Sequence, residues 1–124
     1  MACYLSPEWF ALGLAAGADL PERPGVSALV QHVVSGGPDG EVRYVTRLVD
    51  GRVTEHGLGS VDDPDATLAT PYTEGLAIAE GRLDANAAFM QGRIKTAGRT
   101  GPLLALLSVL QAPAWGEVAA TTEG

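Results

Sequence analysis

Two apolar helical segments flanking a short strand, between Gly75 and Leu110, constrain this chain more than any other feature. In the second segment Leu103, Leu106, Leu107 and Leu110 recur at i, i+3, i+4 and i+7, which draws one apolar stripe down a helix. Leu104 and Val109 widen that stripe beyond what a single packing face requires. At 1.5 Å per residue the run is roughly 12 Å long, far below the ~30 Å of a bilayer. It must therefore cover something apolar, either the protein core or a cavity that holds an apolar ligand.

The rest of the chain reads as alternating short elements. Ser6-Pro7-Glu8 is a helix start: a capping hydroxyl, a proline at the first helical position and a carboxylate that the helix dipole favours. The helix should run from Trp9 to Ala18, weakened by Gly13 and Gly17, and end before Pro21 and Pro24. Val26 to Val34 reads as a strand closed by the turn residues 35–40. Glu41 to Val49 alternates, with Val42, Tyr44 and Leu48 on one side and Arg43 and Arg47 on the other. Asp50-Gly51 suits a two-residue hairpin turn whose central residues need positive φ, so Arg52 to Leu58 returns as the partner strand. The expected register sets Tyr44 near Glu55. A fourth strand, Ala66 to Thr70, runs into Pro71, with Thr70 as the expected cap of the next helix. Tyr72, Leu76, Ala79 and Leu83 share one face of that helix, Asp84 caps a short turn ending at Gly92, and Arg93 to Ala97 is a fifth strand. No linker or repeat divides the chain, so residues 1–124 read as one domain, with 113–124 a small, polar, loose tail.

Composition narrows the partners. The 124 residues carry a net charge of −7, which disfavours nucleic acid and anionic membrane surfaces because little would neutralise phosphate. A 46% hydrophobic share with 19% charged residues is that of a globular domain. The lone Cys3 leaves no intramolecular disulfide and fits a reducing compartment. MACYLSPEW has no basic leader, and TTEG is no prenylation box or peroxisomal signal, so a cytoplasmic protein without integral membrane association is expected.

Catalytic and metal motifs are weak. His32 and His56 fall in different strands and Cys3 lies near the chain end, so nothing local brings them together and they read as ordinary strand or surface residues. Asp62, Asp63 and Asp65 with Glu55 do not make a calcium loop: counting from Asp62, positions six and twelve are Thr67 and Thr73 where glycine and glutamate are needed. Gly57-Leu58-Gly59-Ser60-Val61-Asp62 lacks the third glycine of a dinucleotide fingerprint and opens no helix. No metal, no cofactor and no catalytic residue is expected.

Phe89-Met90, then Gly92-Arg93-Ile94-Lys95, resembles the "-FM-x-G-[KR]-hydrophobic-[KR]" segment of sterol carrier protein type 2 domains. In that family the segment precedes a lipid-covering helix. Asp65-Ala66-Thr67 resembles the family's strand start, and the likeness runs in order through residues 26 to 110. Arg99 departs from it, standing where the family commonly has an acidic residue, which puts the local turn contacts in question. The resemblance implies an α+β fold with a five-stranded, mainly antiparallel sheet, helices on one face and an apolar tunnel beneath the C-terminal helix. It further implies a non-catalytic carrier for a fatty acyl, sterol-like or isoprenoid molecule. The expected apolar wall is Phe89, Met90, Ile94, Leu103, Leu106, Leu107 and Leu110, with Leu76 and Tyr72 from the preceding helix. Two other readings stay open. A cyclase- or isomerase-like enzyme could use the same pocket, with Tyr44, Tyr72 or His32 as acid or base; alternatively, a filled core would leave the leucine-rich helix to pair with another chain. An oligomer is left open as well.

Overall fold

A computed structural model describes residues 2–18, 20–38, 40–99, 101, 102, 104–106, 118, 120, 122 and 123. Its elements run β1 (Ala2–Cys3), α1 (Pro7–Ala18), β2 (Ala28–Gly37), β3 (Gly40–Val49), β4 (Arg52–Leu58), β5 (Ala66–Pro71), α2 (Tyr72–Ala79), α3 (Ala85–Met90), β6 (Lys95–Gly98) and β7 (Thr122–Glu123). Residues 101, 102 and 104–106 are helical.

Local chemistry sets most boundaries. Ser6 Oγ accepts from the Trp9 amide at 3.2 Å and caps α1. Asp84 does the same for α3 through the Ala87 amide at 3.1 Å. Asp50 and Gly51 take φ of 51° and 82°, the two positive values that the β3–β4 hairpin requires. The hairpin register differs from expectation, because Tyr44 faces Leu58 and it is Arg47 that faces Glu55. Thr70 does not cap α2; it is still a β5 residue, and Pro71 holds the N-cap position without a side-chain bond.

The sheet order is β4-β3-β2-β5-β6. Three of its pairings are antiparallel and β2 and β5 run parallel, so the sheet is mainly antiparallel, as expected, with one parallel pairing that makes it mixed. The reason is the β4–β5 connection. After β4 the chain crosses behind the sheet and inserts β5 on the far side of β2. Gln31 holds that crossing: its amide donates to the carbonyls of Tyr44 and Gly59 and accepts from the Val61 amide at 2.9 Å. Asp65 completes it by accepting from the Leu29 amide at 2.8 Å.

The opposite face carries the core. Ala28, Val30, His32 and Val34 alternate inward along β2, as Tyr44, Thr46 and Leu48 do along β3. Trp9, Phe10, Gly13 and Gly17 make the buried side of α1. The glycines let the helix lie close, since a Cβ on Gly17 would collide with the Val53 side chain of β4. In the stretch expected to be a loose tail, Val118 is buried against Tyr4, Trp9 and Phe10, and Thr122–Glu123 pairs in parallel with β1.

Candidate functional site

Two apolar clusters fill the space between sheet and helices. One contains Val30, Leu48, Val53, Leu68, Ala88, Ile94 and Leu106; the other contains Tyr4, Trp9, Phe10, Val34 and Tyr44. A row of polar side chains lies between them: His32 follows Val30 on β2, Thr46 precedes Leu48 on β3, and His56 follows Val53 on β4. A partly open space of about 60 Å³ lies at this row, room for a few waters. It is walled by His32, Tyr44, Thr46, His56, Leu68 and Thr70 from the sheet. Tyr4, Trp9, Gly75, Ile78, Ala79, Ala85, Ile94 and Leu106 close it from above.

A β-bulge brings His56 to this wall. Simple alternation from the inward Val53 would turn Glu55 inward and His56 outward. Instead Leu48 pairs with Val53 while the adjacent Arg47 pairs with Glu55, so Thr54 is an extra residue and His56 turns in opposite Thr46. The two histidines therefore meet at one cavity, contrary to the expectation that nothing unites them. Cys3 is exposed and lies apart from the histidines' cavity wall.

The polar row is satisfied internally. His32 Nε2 lies 3.0 Å from the Thr46 hydroxyl, and its ring stacks on Tyr44. His56 Nδ1 donates to the Phe10 carbonyl at 3.2 Å. Tyr4 stands edge-on to Trp9, ring centroids 4.9 Å apart, and fits because Gly75 has no Cβ to meet its oxygen. Burial pushes the His32 pKa down to about 3, with the nearby His56 adding to the effect. Burial lowers His56 too, against its bond to the Phe10 carbonyl, and it raises both tyrosines. All four groups are thus held neutral near pH 7. The indole nitrogen of Trp9 is the exception: it is buried without a hydrogen-bond partner, alone in this among the described side chains.

Of the residues expected to form an apolar wall, Ile94 and Leu106 line the cavity. Phe89 is half-buried against the first cluster, and Tyr72 and Leu76 are half-buried against the second. Met90 is 81% exposed. Phe89 and Met90 lie on α3, whose buried face is Ala85 and Ala88; a residue one step past Phe89 turns ~100° away from its neighbour. Leu103, Leu107 and Leu110 lie outside the described residues. Tyr4, Trp9, Thr46 and His56 were not anticipated. Their signal was a Tyr-Trp-Phe cluster ahead of an otherwise small-residue helix, legible only once the bulge is known.

The carboxylates considered for a metal are engaged elsewhere. Glu55 pairs with Arg47 at 3.1 Å, and Asp65 pairs with Arg99, the residue that departs from the resembled family. Among the described residues no three His, Cys, Asp or Glu side chains gather in a metal-binding group, and no helix is long and apolar enough to cross a membrane.

An open mixed sheet with helices roofing a small, mostly apolar cavity is the architecture of this α+β domain. A family profile described as the SCP-2 sterol transfer family matches residues 20–111, and the chain belongs to that family. Palmitated SCP2L2 from Aedes aegypti is 24% identical with a TM-score of 0.65, over 86% of this chain and 96% of that one. A crystal structure of sterol carrier protein 2 is 15% identical with a TM-score of 0.72, over 94% and 99%. The stereoselective inverting sec-alkylsulfatase Pisa1 from Pseudomonas sp. is similar at 23% identity and a TM-score of 0.53, over 72% of this chain but 14% of that one. No curated protein sequence matches.

Proposed function

We propose that the protein binds and carries an apolar lipid between its sheet and its helices, without chemically changing it. The observation that carries this reading is the mostly apolar cavity between sheet and helices in a chain of the SCP-2 sterol transfer family. The palmitated Aedes aegypti neighbour, similar over most of both chains, supports it. A lipid needs several hundred Å³, against about 60 Å³ here, so uptake requires the helical roof to move away from the sheet. Burying the chain supplies the driving force, at ~25 cal/mol per Å² of apolar surface, less the ordering cost. The full set of contacts, including the nine expected wall residues and any continuous tunnel, is part of this proposal.

The rival enzyme reading gains one observation, since tyrosines and histidines do face the cavity. Their chemistry points the other way. A general acid or base works best with a pKa near the operating pH, whereas burial drives the histidines down and the tyrosines up. Native mass spectrometry of the purified protein and thermal melts with fatty acids, acyl-CoAs and sterols test the carrier reading. A ligand at a hundredfold excess over Kd should add ~2.7 kcal/mol to stability. A panel that gives no retained lipid and no shift would sink it.

A further inference from the structure

Trp9 is only 4% exposed, lines the cavity, and holds its indole N–H with no acceptor. Buried donors are almost always satisfied, so an orphan at a cavity wall marks the place of a missing acceptor. The surroundings say which kind. Tyr4, Tyr44 and His56 lie within 6 Å of the Trp9 ring centroid, and the described lining contains no Asp, Glu, Lys or Arg. An ionised headgroup would enter a largely buried aromatic site with no counter-charge among the described lining, which burial penalises heavily. An uncharged oxygen would meet a ready donor at no such cost.

We propose that the aromatic end of the cavity is a headgroup subsite for an uncharged oxygen, such as a ketone, ester or alcohol, which accepts from Trp9 Nε1. The lipid's apolar body then extends toward Leu68, Ile78, Ile94 and Leu106. Neutral His32, with its ring nitrogen already paired to Thr46, adds no positive charge that would attract a carboxylate. The inference rests on the carrier reading, and it assigns that carrier a polarity rule: one neutral acceptor at the buried end.

The test compares four twelve- or thirteen-carbon ligands, 2-tridecanone, dodecanol, dodecane and laurate at pH 8, by displacement of the neutral fluorophore N-phenyl-1-naphthylamine. Affinities are corrected for each ligand's transfer from water to hydrocarbon. The ketone and alcohol should bind at least about tenfold more tightly than dodecane or laurate, and Trp9→Phe should shrink that preference to within about threefold while leaving dodecane unchanged. Laurate binding most tightly, or a preference that survives Trp9→Phe, overturns the subsite but leaves the carrier. Failure of every ligand and of the fluorophore to bind overturns both. Should Trp9→Phe not fold, the wild-type indole N–H resonances decide, with Trp9 and Trp115 distinguished by a Trp115→Phe variant. The Trp9 signal must move downfield with the ketone and not with dodecane.

Discussion

His32 lies flat on Tyr44, ring centroids 4.1 Å apart and planes 6° from parallel, as direct partners across β2 and β3. The stack keeps an imidazole inside an aromatic wall where a charged form would be poorly solvated. That has a consequence for acid stability. The folded pKa of His32 is about 3 against an unfolded value of 6.5, so between those values the unfolded chain binds the extra proton. Stability is full above pH 6.5 and falls as pH drops toward 3, by up to ~1.4 kcal/mol per pH unit. His56, lowered in the same direction, adds to the slope. Urea melts of the wild type between pH 7.5 and 4 should show the decline, and His32→Phe should flatten it; an equal slope in both proteins would count against a neutral buried His32.

Gly51→Val should destabilise the β3–β4 hairpin by ~1–3 kcal/mol. Gly51 sits at φ 82°, and its added Cβ would come within 2.8 Å of the Arg23 Cβ. Equilibrium unfolding checks this, and an unchanged midpoint refutes the turn assignment.

Gly17→Ala sets two effects against each other. Alanine favours a helix by up to ~1 kcal/mol, but its methyl meets Val53, and overpacking costs ~1–3 kcal/mol. The clash should win in the single variant. Combining it with Val53→Gly, which removes the Cβ as well as both methyls, should cost less than the sum of the two single variants, read from the double-mutant cycle.

Leu48→Ala and Leu106→Ala should behave differently though both side chains are fully buried. Leu48 is not part of the cavity wall, so its loss leaves a new void and costs ~2–5 kcal/mol. Leu106 already borders open space, so its loss should fall at or below the low end of that range and enlarge the cavity. Thermal melts with and without lipid distinguish them: only Leu106→Ala should gain in lipid-induced stabilisation.

Asp65→Asn should weaken the β2–β5 junction. The Leu29 amide and then Arg99 hold its carboxyl below the usual carboxylate range, so its contribution is present above pH ~4 and is lost as pH falls through the folded pKa. The pair is partly solvated, which places the loss at ~0.2–1 kcal/mol near neutrality. The difference between variant and wild type should vanish in acid; a gap that persists at pH 2 would assign the effect to packing.

Elements with their own local chemistry were legible before any coordinates. The Ser6 and Asp84 caps, the Asp50-Gly51 turn and the alternation of β3 each follow from a few neighbouring residues. The α+β sheet and its family followed from the resemblance carried by Phe89 to Lys95. What escaped is non-local. Parallel pairing of β2 with β5 depends on a crossing held by Gln31, whose role is invisible in a β-rich run. His56 reaches the cavity only because Thr54 breaks the alternation, and no residue type at 54 announces a bulge. Met90 is exposed one step past the half-buried Phe89, since successive residues on a helix point ~100° apart.

The pairing of β1 with β7 makes Ala2 a neighbour of Thr122, so this contact closes a loop nearly the length of the chain. Loop closure becomes entropically harder as the intervening chain lengthens, whereas the β3–β4 hairpin closes over two residues. Tyr4 and Val118 sit beside those paired ends and share one buried cluster, so the aromatic end of the cavity is built on a contact that spans nearly the whole chain.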